Sequence, residues 1–452
     1  MSSTKAEMAD TPTGPAASAD AAANGTATTV RHRLELSAPG RLLPTRASRR
    51  VLLALLRRLR RGRLRVVEPK AATTYGDGDG PSAEVRVVDP RAWSLILQRG
   101  SVGLGEAFVD EMIDTDDLAA FLGLLTRNLR RLNRVRNRIA PLANALAWPF
   151  DRARGRSPSD DRRHVVAHYD VGDDFFELFL DSTMAYSCGV FEGESSTLEA
   201  ASVAKFDRVC RKLALGPGDH VVEIGTGWGG FAVHAATRYG CRVTTTTISE
   251  HQFRAASRRV VDAGVGGRVT VLNRDYRELG GTYSHLVSIE MIEAVDWRDY
   301  DTYFAAIDRL LEPGGSALVQ CIVIADADYE RAKRRDEFLR HYIFPGGCLP
   351  SMAAISASLA RATRLAVLDT EDLGAHYVRT LQQWRRRLEH RSADARARGY
   401  SERFLRLWRF YLSYCEAAFA EAHVTDVQLL LGDRRAAARQ RVPTEDPAGS
   451  HR

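Results

Sequence analysis

A chain of 452 residues that is 44% hydrophobic and 27% charged has the composition of an ordinary globular protein, long enough for two or three domains. Its net charge of +7 is mild, no apolar run reaches the ~18 residues of a membrane-spanning helix, and the N-terminus lacks a signal peptide's apolar stretch. The six cysteines are scattered, with no C-x-x-C pair. This points to a reducing cytoplasm and away from a disulfide framework or a structural zinc.

Residues 1–40, rich in Ala, Thr, Ser, Gly and Pro, read as a disordered tail, as do 433–452. From Arg41 to Arg65, Leu52, Leu53, Leu55, Leu56 and Leu59 alternate with Arg49, Arg50, Arg57, Arg58, Arg60 and Arg61, and no acidic residue intervenes. Such a basic amphipathic helix suits an anionic membrane surface; it suits equally a helix packed on its own domain with a solvated arginine face. Residues 41–150 read as a small, mixed, lipid-associating domain with a strand over 83–88 and helices over 90–97 and 117–125. Residues 127–138 carry six arginines and no carboxylate. No aromatics interleave them and no nucleic-acid-binding motif accompanies them, so nucleic acid is not the expected partner. Residues 151–164 form a linker.

From 165 to 432 the pattern changes. Helices are expected over 165–180, 198–213, 231–239, 250–263 and 300–311. Strands are expected at 221–224, 242–248, 269–272, 284–288 and 317–324, with a turn at 186–189. This is the βαβ rhythm of a doubly wound, mostly parallel α/β sheet. Beyond it, 359–368, 377–390 and 402–421 supply helices, together with one further strand pair.

The first strand of that series ends in Glu223-x-Gly225-x-Gly227-x-Gly229. A nicotinamide-binding turn would read G-x-G-x-x-G and place an acid about 20 residues on, after the second strand. Here the spacing is G-x-G-x-G, and the second strand runs out in Thr245-Thr-Thr-Ile-Ser249 with Glu250 just beyond. S-adenosylmethionine fits this turn better. Asp275-Tyr276 after the third strand suits adenine, and Leu310-Leu-Glu-Pro-Gly-Gly315 precedes the fifth as in methyltransferases of this kind. The fold expected is therefore Rossmann-like, of the class I S-adenosylmethionine-dependent methyltransferases, behind a small N-terminal helical and mixed domain.

Several further motifs stand in order over 160–430: His168-Tyr-Asp-Val-Gly-Asp-Asp-Phe-Phe176, Tyr186-Ser-Cys188, Glu223-Ile-Gly-Thr-Gly-Trp-Gly-Gly230, Thr247-Ile-Ser249 with Gln252, Asp275-Tyr-Arg277, Glu290-Met-Ile-Glu293 and Tyr342-Ile-Phe-Pro-Gly-Gly-Cys-Leu-Pro350. On these the chain resembles the cyclopropane-fatty-acyl-phospholipid synthases and their mycolic-acid and tuberculostearic-acid relatives. The resemblance implies that a cis alkene, a poor nucleophile, is held in a dry pocket against a sulfonium methyl. The resulting carbocation is steadied by aromatic faces, for which Trp228, Tyr169, Phe175 and Phe176 are candidates, the two phenylalanines reading more readily as core. A base then removes a proton; in relatives it is a bound bicarbonate.

Carried over by motif, the catalytic set is Cys188, Glu293, Tyr377, the backbone of Ile322, and Gln320. The cofactor shell is Tyr186, Ser187, Glu223, Gly225, Gly227, Trp228, Thr247, Gln252, Asp275 and Tyr276. No metal is implied. Two positions depart from the cyclopropane synthases: Ala294 follows Glu293 where a His is usual, and Gln320 stands where a His holds bicarbonate. A glutamine donates a hydrogen bond but takes up no proton at neutral pH, so bicarbonate binding and the identity of the lost proton both stay open. The subgroup with Glu-Met-Ile-Glu-Ala-Val and this Gln resembles the tuberculostearic-acid methyltransferase. The expected product on an oleoyl-type phospholipid chain is accordingly a 10-methylene fatty acid. Cyclopropanation and an inactive lipid-binding homologue are the alternatives. A cytoplasmic enzyme peripherally bound to the inner membrane face, a flavin- or nicotinamide-dependent reductase acting on the product, and a homodimer complete the expectations.

Overall fold

Alternating apolar residues build a four-stranded sheet near the N-terminus, formed by β1 (Arg63–Glu68), β2 (Ala71–Tyr75), β3 (Ser82–Val87) and β4 (Ile113–Asp114) in the order β2-β1-β3-β4. β1 and β3 are parallel and the outer pairs antiparallel. Ahead of it, the helix Thr45–Leu56 buries Leu53 and Leu55, and Leu59 just beyond is buried as well, whereas Arg57, Arg58, Arg60 and Arg61 are exposed. The leucine side of the basic stretch thus packs on its own chain. The helix also ends earlier than the basic run, since residues from Arg63 onward pair as a strand. The computed structural model describes residues 44–78, 80–129, 131–132, 171–334 and 337–433. The expected tails at 1–40 and 433–452 (save Asp433), the linker at 151–164, four of the six arginines of 127–138 and Tyr169 lie outside the described residues.

The second sheet has seven strands: β5 (His220–Ile224), β6 (Arg242–Thr247), β7 (Val269–Asn273), β8 (Tyr283–Ile289), β9 (Leu311–Ile324), β10 (Leu365–Asp372) and β11 (Val424–Asp433), in the order β10-β11-β9-β8-β5-β6-β7. β5 to β9 run parallel; β11 lies antiparallel to β9, and β10 to β11. Helices cover both faces, as a buried parallel sheet requires. On one side Tyr303, Phe304, Ile307 and Leu310 of the helix Tyr300–Leu310 pack with Ile355 and Leu359. On the other, Phe206 and Val209 pack with Phe231, Ala235 and Val260. Chain order reverses between β5 and β8, and the crevice beyond the carboxyl ends of two such strands is where an open α/β sheet receives its ligand.

Two expected helices come out differently. Of 165–180, only Asp173–Phe176 is helical among the described residues. Gly172 precedes it at φ 99°, and the two aromatic rings share Trp408 while Phe175 also meets Tyr400 and Phe404 and Phe176 also meets Tyr186 and Trp228. Of 359–368, the helix Met352–Ala362 supplies the first part, Thr363 is extended, and Leu365 onward pairs with β11. Pairing with an open strand edge outweighs local helix propensity there. Two helices beside the smaller sheet, Ser101–Val109 and Leu118–Arg127, are tied to the helix Glu402–Ala420 and the residue following it. Arg127 grips Glu421 through Nε and Nη2 at 2.6 and 2.7 Å, and the Arg406 guanidinium donates to the Phe108 carbonyl at 2.9 and 2.7 Å. The described residues belong to one compact unit beginning at Arg41.

Candidate active site

Both strand ends at the reversal carry left-handed backbone. After β5, Gly225 and Gly227 lie at φ 99° and 52°; after β8, Glu290 lies at φ 49°. A Cβ on Gly225 would sit 3.2 Å from Cγ of Met291, whereas one on Gly227 would meet nothing within 4 Å. The turn therefore passes close to the loop after β8 on one side and faces open space on the other.

A cavity lies at this turn, and all ten residues expected to hold the cofactor line it. Inside, the Thr247 hydroxyl donates to Gln252 Oε1 at 2.8 Å, and Asp275 is clasped by Arg277 through Nε and Nη2 at 2.9 and 2.6 Å. The Trp228 indole N–H donates to Asp173 at 2.8 Å, which fixes that ring in the cavity wall. Glu223 is buried and its Oε2 has no hydrogen-bond partner. Burial pushes its carboxyl up to about 8. An unsatisfied buried oxygen is costly unless a ligand supplies a donor. A turn with open space beyond Gly227 and such an acceptor beside it fits S-adenosylmethionine, whose ammonium and ribose hydroxyls are donors.

The five expected catalytic residues do not form that cavity's wall. They sit behind Glu290, which does line it. Glu290 Oε1 accepts from the Cys188 backbone N–H at 2.7 Å and from Gln320 Nε2 at 2.9 Å, while Oε2 accepts from the Tyr377 hydroxyl at 2.5 Å. Gln320 also donates to Asp426 at 2.8 Å, and its own carbonyl oxygen accepts from Gln428 at 3.1 Å. With its oxygen engaged by a donor, the amide must turn its nitrogen to the two carboxylates. Glu293 lies apart from this knot. Its Oε1 accepts from the Ile322 backbone N–H at 2.5 Å, and its buried Oε2 has no partner. Burial, with Glu290 close by, pushes the Glu293 carboxyl up to about 8. Burial likewise raises the proton affinity of Glu290 and Asp426, against the pull of Lys205. Lys205 is fully buried, donates to the Ser187 hydroxyl at 2.5 Å and is held below the usual lysine range by desolvation.

The structure thus gathers Cys188, Gln320 and Tyr377 on one carboxylate, and Ile322 on another. The Cys188 thiol itself turns away to the carbonyls of Gly189 and Leu373. Phe175 and Phe176 are wholly buried in an aromatic core. Glu290, Lys205, Asp426 and Gln428 were not assigned roles from sequence. For Glu290 a signal existed: two glutamates three apart bracket the loop at the carboxyl end of a central parallel strand, where such sheets place their chemistry.

The family described as mycolic acid cyclopropane synthetase matches residues 156–429. The chain belongs to this family. It is an S-adenosylmethionine-dependent methyltransferase of the fatty-acyl, cyclopropane-synthase type. The chain is 35% identical over 378 residues to the tuberculostearic acid methyltransferase UfaA1 of Mycobacterium tuberculosis, covering 79% of this chain and 86% of that protein. It is 36% identical over 362 residues to the cyclopropane-fatty-acyl-phospholipid synthase of Escherichia coli K12, covering 78% and 87%. Among solved structures, mycolic acid cyclopropane synthase CmaA1 complexed with SAH and CTAB superimposes with a TM-score of 0.56 at 29% identity, over 60% of this chain and 98% of that one.

Proposed function

We propose that this synthetase-family enzyme adds a one-carbon unit to the cis double bond of unsaturated phospholipid acyl chains and releases a 10-methylene fatty acid. The observation that carries the reading is a shared wall: the cavity lined by the glycine turn also exposes Glu290, Met291 and Val295, so cofactor, apolar chain and carboxylate meet in one place. The cofactor supplies an electrophilic methyl group. Tyr186, Ser187, Glu223, Gly225, Gly227, Thr247, Gln252, Asp275 and Tyr276 hold it, while Met291 and Val295 offer the chain a dry surface. Trp228, locked by Asp173, presents a ring face to developing positive charge. Glu293 sits just behind the loop as an acceptor fixed by Ile322.

Gln320 and Ala294 favour the methylene product, because neither can shuttle a proton as the histidines of the cyclopropane-forming pattern can. The identity to a cyclopropane-fatty-acyl-phospholipid synthase supports ring formation as the second reading. The exposed arginines 57, 58, 60 and 61 supply the attraction to anionic lipid. No helix among the described residues is long and apolar enough to cross a membrane, so contact with lipid would be peripheral. A reductase acting on the product and a homodimer belong to the same proposal.

Expression in bacteria that make oleoyl phospholipids, followed by mass spectrometry of fatty-acid methyl esters, tests it. A gain of one CH2 with a terminal methylene is expected. The same mass with a ring would give the second reading, and no gain from a folded, cofactor-binding protein would refute both.

A further inference from the structure

We infer that Lys205 is a positioning residue for the cofactor, presenting a buried positive charge through the Ser187 hydroxyl to the methionyl carboxylate of S-adenosylmethionine. This rests on the cofactor assignment and not on which product is formed. Lys205 lies on the helix Leu198–Lys212 and is wholly buried, and among the described residues it is the only buried lysine or arginine. Burial strips water from an ammonium, a cost that folded proteins normally offset with a carboxylate in contact. Here the contacts are different. Among the described residues the Lys205 ammonium donates only to Ser187 Oγ, at 2.5 Å, and it lies 4.5 Å from the centre of the Phe206 ring. Asp181, Glu290 and Asp426 act on its charge without forming an ion pair with it. An ammonium has three donors, and Lys205 lines the cofactor cavity together with Ser187. A buried cation with donors to spare in a cavity wall fits an anionic ligand.

Ser187 passes that preference on. Its oxygen accepts from Lys205, and among the described residues its hydroxyl has no other partner. The hydroxyl proton is therefore left for an acceptor, and a hydroxyl polarised by an ammonium gives it best to an anion. S-adenosylmethionine carries one anionic group, its carboxylate. Sheet order puts that group on this side of the cavity. Thr247 ends β6 and Asp275, the residue suited to adenine, follows β7, whereas Lys205 feels the charges of Glu290 after β8 and Asp426 on β11. In the strand order these pairs flank β5 and its glycine turn on opposite sides. Glu223, on β5 itself, feels the Lys205 charge and keeps an oxygen without a partner, which suits the cofactor's ammonium. A carboxylate and a cation-backed hydroxyl in one wall match the two charges of an amino-acid head group.

Calorimetry on the full chain tests this with two ligands: S-adenosylmethionine, and its decarboxylated form, which keeps the sulfonium, the amine and the nucleoside. Lys205→Met and Ser187→Ala should each weaken binding of S-adenosylmethionine about 10- to 100-fold. Binding of the decarboxylated form should change by less than about threefold in either variant, since the lost contact is one it never makes. The double variant should bind S-adenosylmethionine within about threefold of the weaker single variant, because both substitutions remove one contact. Lys205→Gln, which keeps a donor for Ser187 without the charge, repeats the comparison with a polar side chain among the buried carboxylates and should lose about tenfold, again for S-adenosylmethionine alone. Equal losses for the two ligands would show that Lys205 only supports the fold and would overturn the inference, as would unchanged binding of S-adenosylmethionine. No binding of either ligand by the folded wild-type chain would remove the cofactor assignment and this inference with it.

Discussion

Replacing Glu293 with Gln separates a buried carboxylate from a merely polar side chain. The amide keeps the shape and leaves an oxygen to accept from the Ile322 N–H, the contact that Glu293 Oε1 makes at 2.5 Å. It cannot ionise. In the folded protein burial pushes the carboxyl up to about 8, against about 4.3 in an unfolded chain. Folded Glu293 therefore keeps its proton over a range in which the unfolded chain has lost it. Its contribution is complete below about pH 4.3 and is lost as pH rises towards 8. At ~1.36 kcal/mol per unit, the full span is at most about 5 kcal/mol. Urea unfolding at pH 5.5 and 8.5 should show the variant gaining on the wild type by at least ~2 kcal/mol between the two. Turnover should fall by roughly 10²-fold or more, while cofactor affinity by calorimetry stays nearly unchanged, because Glu293 does not line the cofactor cavity. Parallel stability curves would refute the buried carboxylate, and surviving turnover would refute its catalytic role.

Gly225→Ala should weaken cofactor binding and lower stability by ~1–2 kcal/mol, since φ is 99° and the new methyl would press on Met291 at 3.2 Å; unchanged calorimetry and thermal melting would contradict this. Trp228→Phe keeps a ring but removes the 2.8 Å bond to Asp173, with an expected cost of about 1 kcal/mol in urea unfolding; a neutral result would mean the bond orients nothing. Charge reversal at Arg57, Arg58, Arg60 and Arg61 should reduce binding to anionic vesicles at low salt by about 1 kcal/mol per residue. Because all four are exposed, melting should be unaffected, and retained vesicle binding would leave the helix a purely packing role.

Much of the frame was legible because it depends on short-range pattern. The run Val221, Val222, Ile224 between polar neighbours fixes β5. Ser249, whose hydroxyl accepts from the Gln252 N–H, fixes the start of the helix Glu250–Asp262. Left-handed turns favour glycine, so the cofactor loop could be placed from its glycine spacing. What failed was what local pattern cannot decide. Residues 365–372 prefer a strand only because β11 offers an unpaired edge. Phe175, Phe176 and Phe179 look like one face of a long helix, but only Asp173–Phe176 is helical and all three rings close on Trp408. The leucines beside the arginines of 49–61 suited a lipid surface as well as they suited their own domain, and only packing shows Leu53, Leu55 and Leu59 turned inward.

The site divides along the same line. By itself the sequence pointed to the cofactor: strand, glycine spacing and following helix are contiguous, and all ten residues assigned to it, most of them carried over by the family's motifs, line one cavity. Through the family resemblance it also brought forward Cys188, Gln320, Tyr377, Glu293 and the backbone N–H of Ile322 as polar groups tied to a shared chemistry. Which carboxylate the first three serve was decided by tertiary structure alone. Cys188, Gln320 and Tyr377 lie 102, 30 and 87 residues from Glu290, and no periodicity links them. They meet because β8 ends beside β9 and the helix Gly374–His390 packs against β11, the next strand of the sheet, so donors from distant segments must find one acceptor to be buried without loss. That acceptor is Glu290, three residues from the glutamate that the motif alone would have chosen.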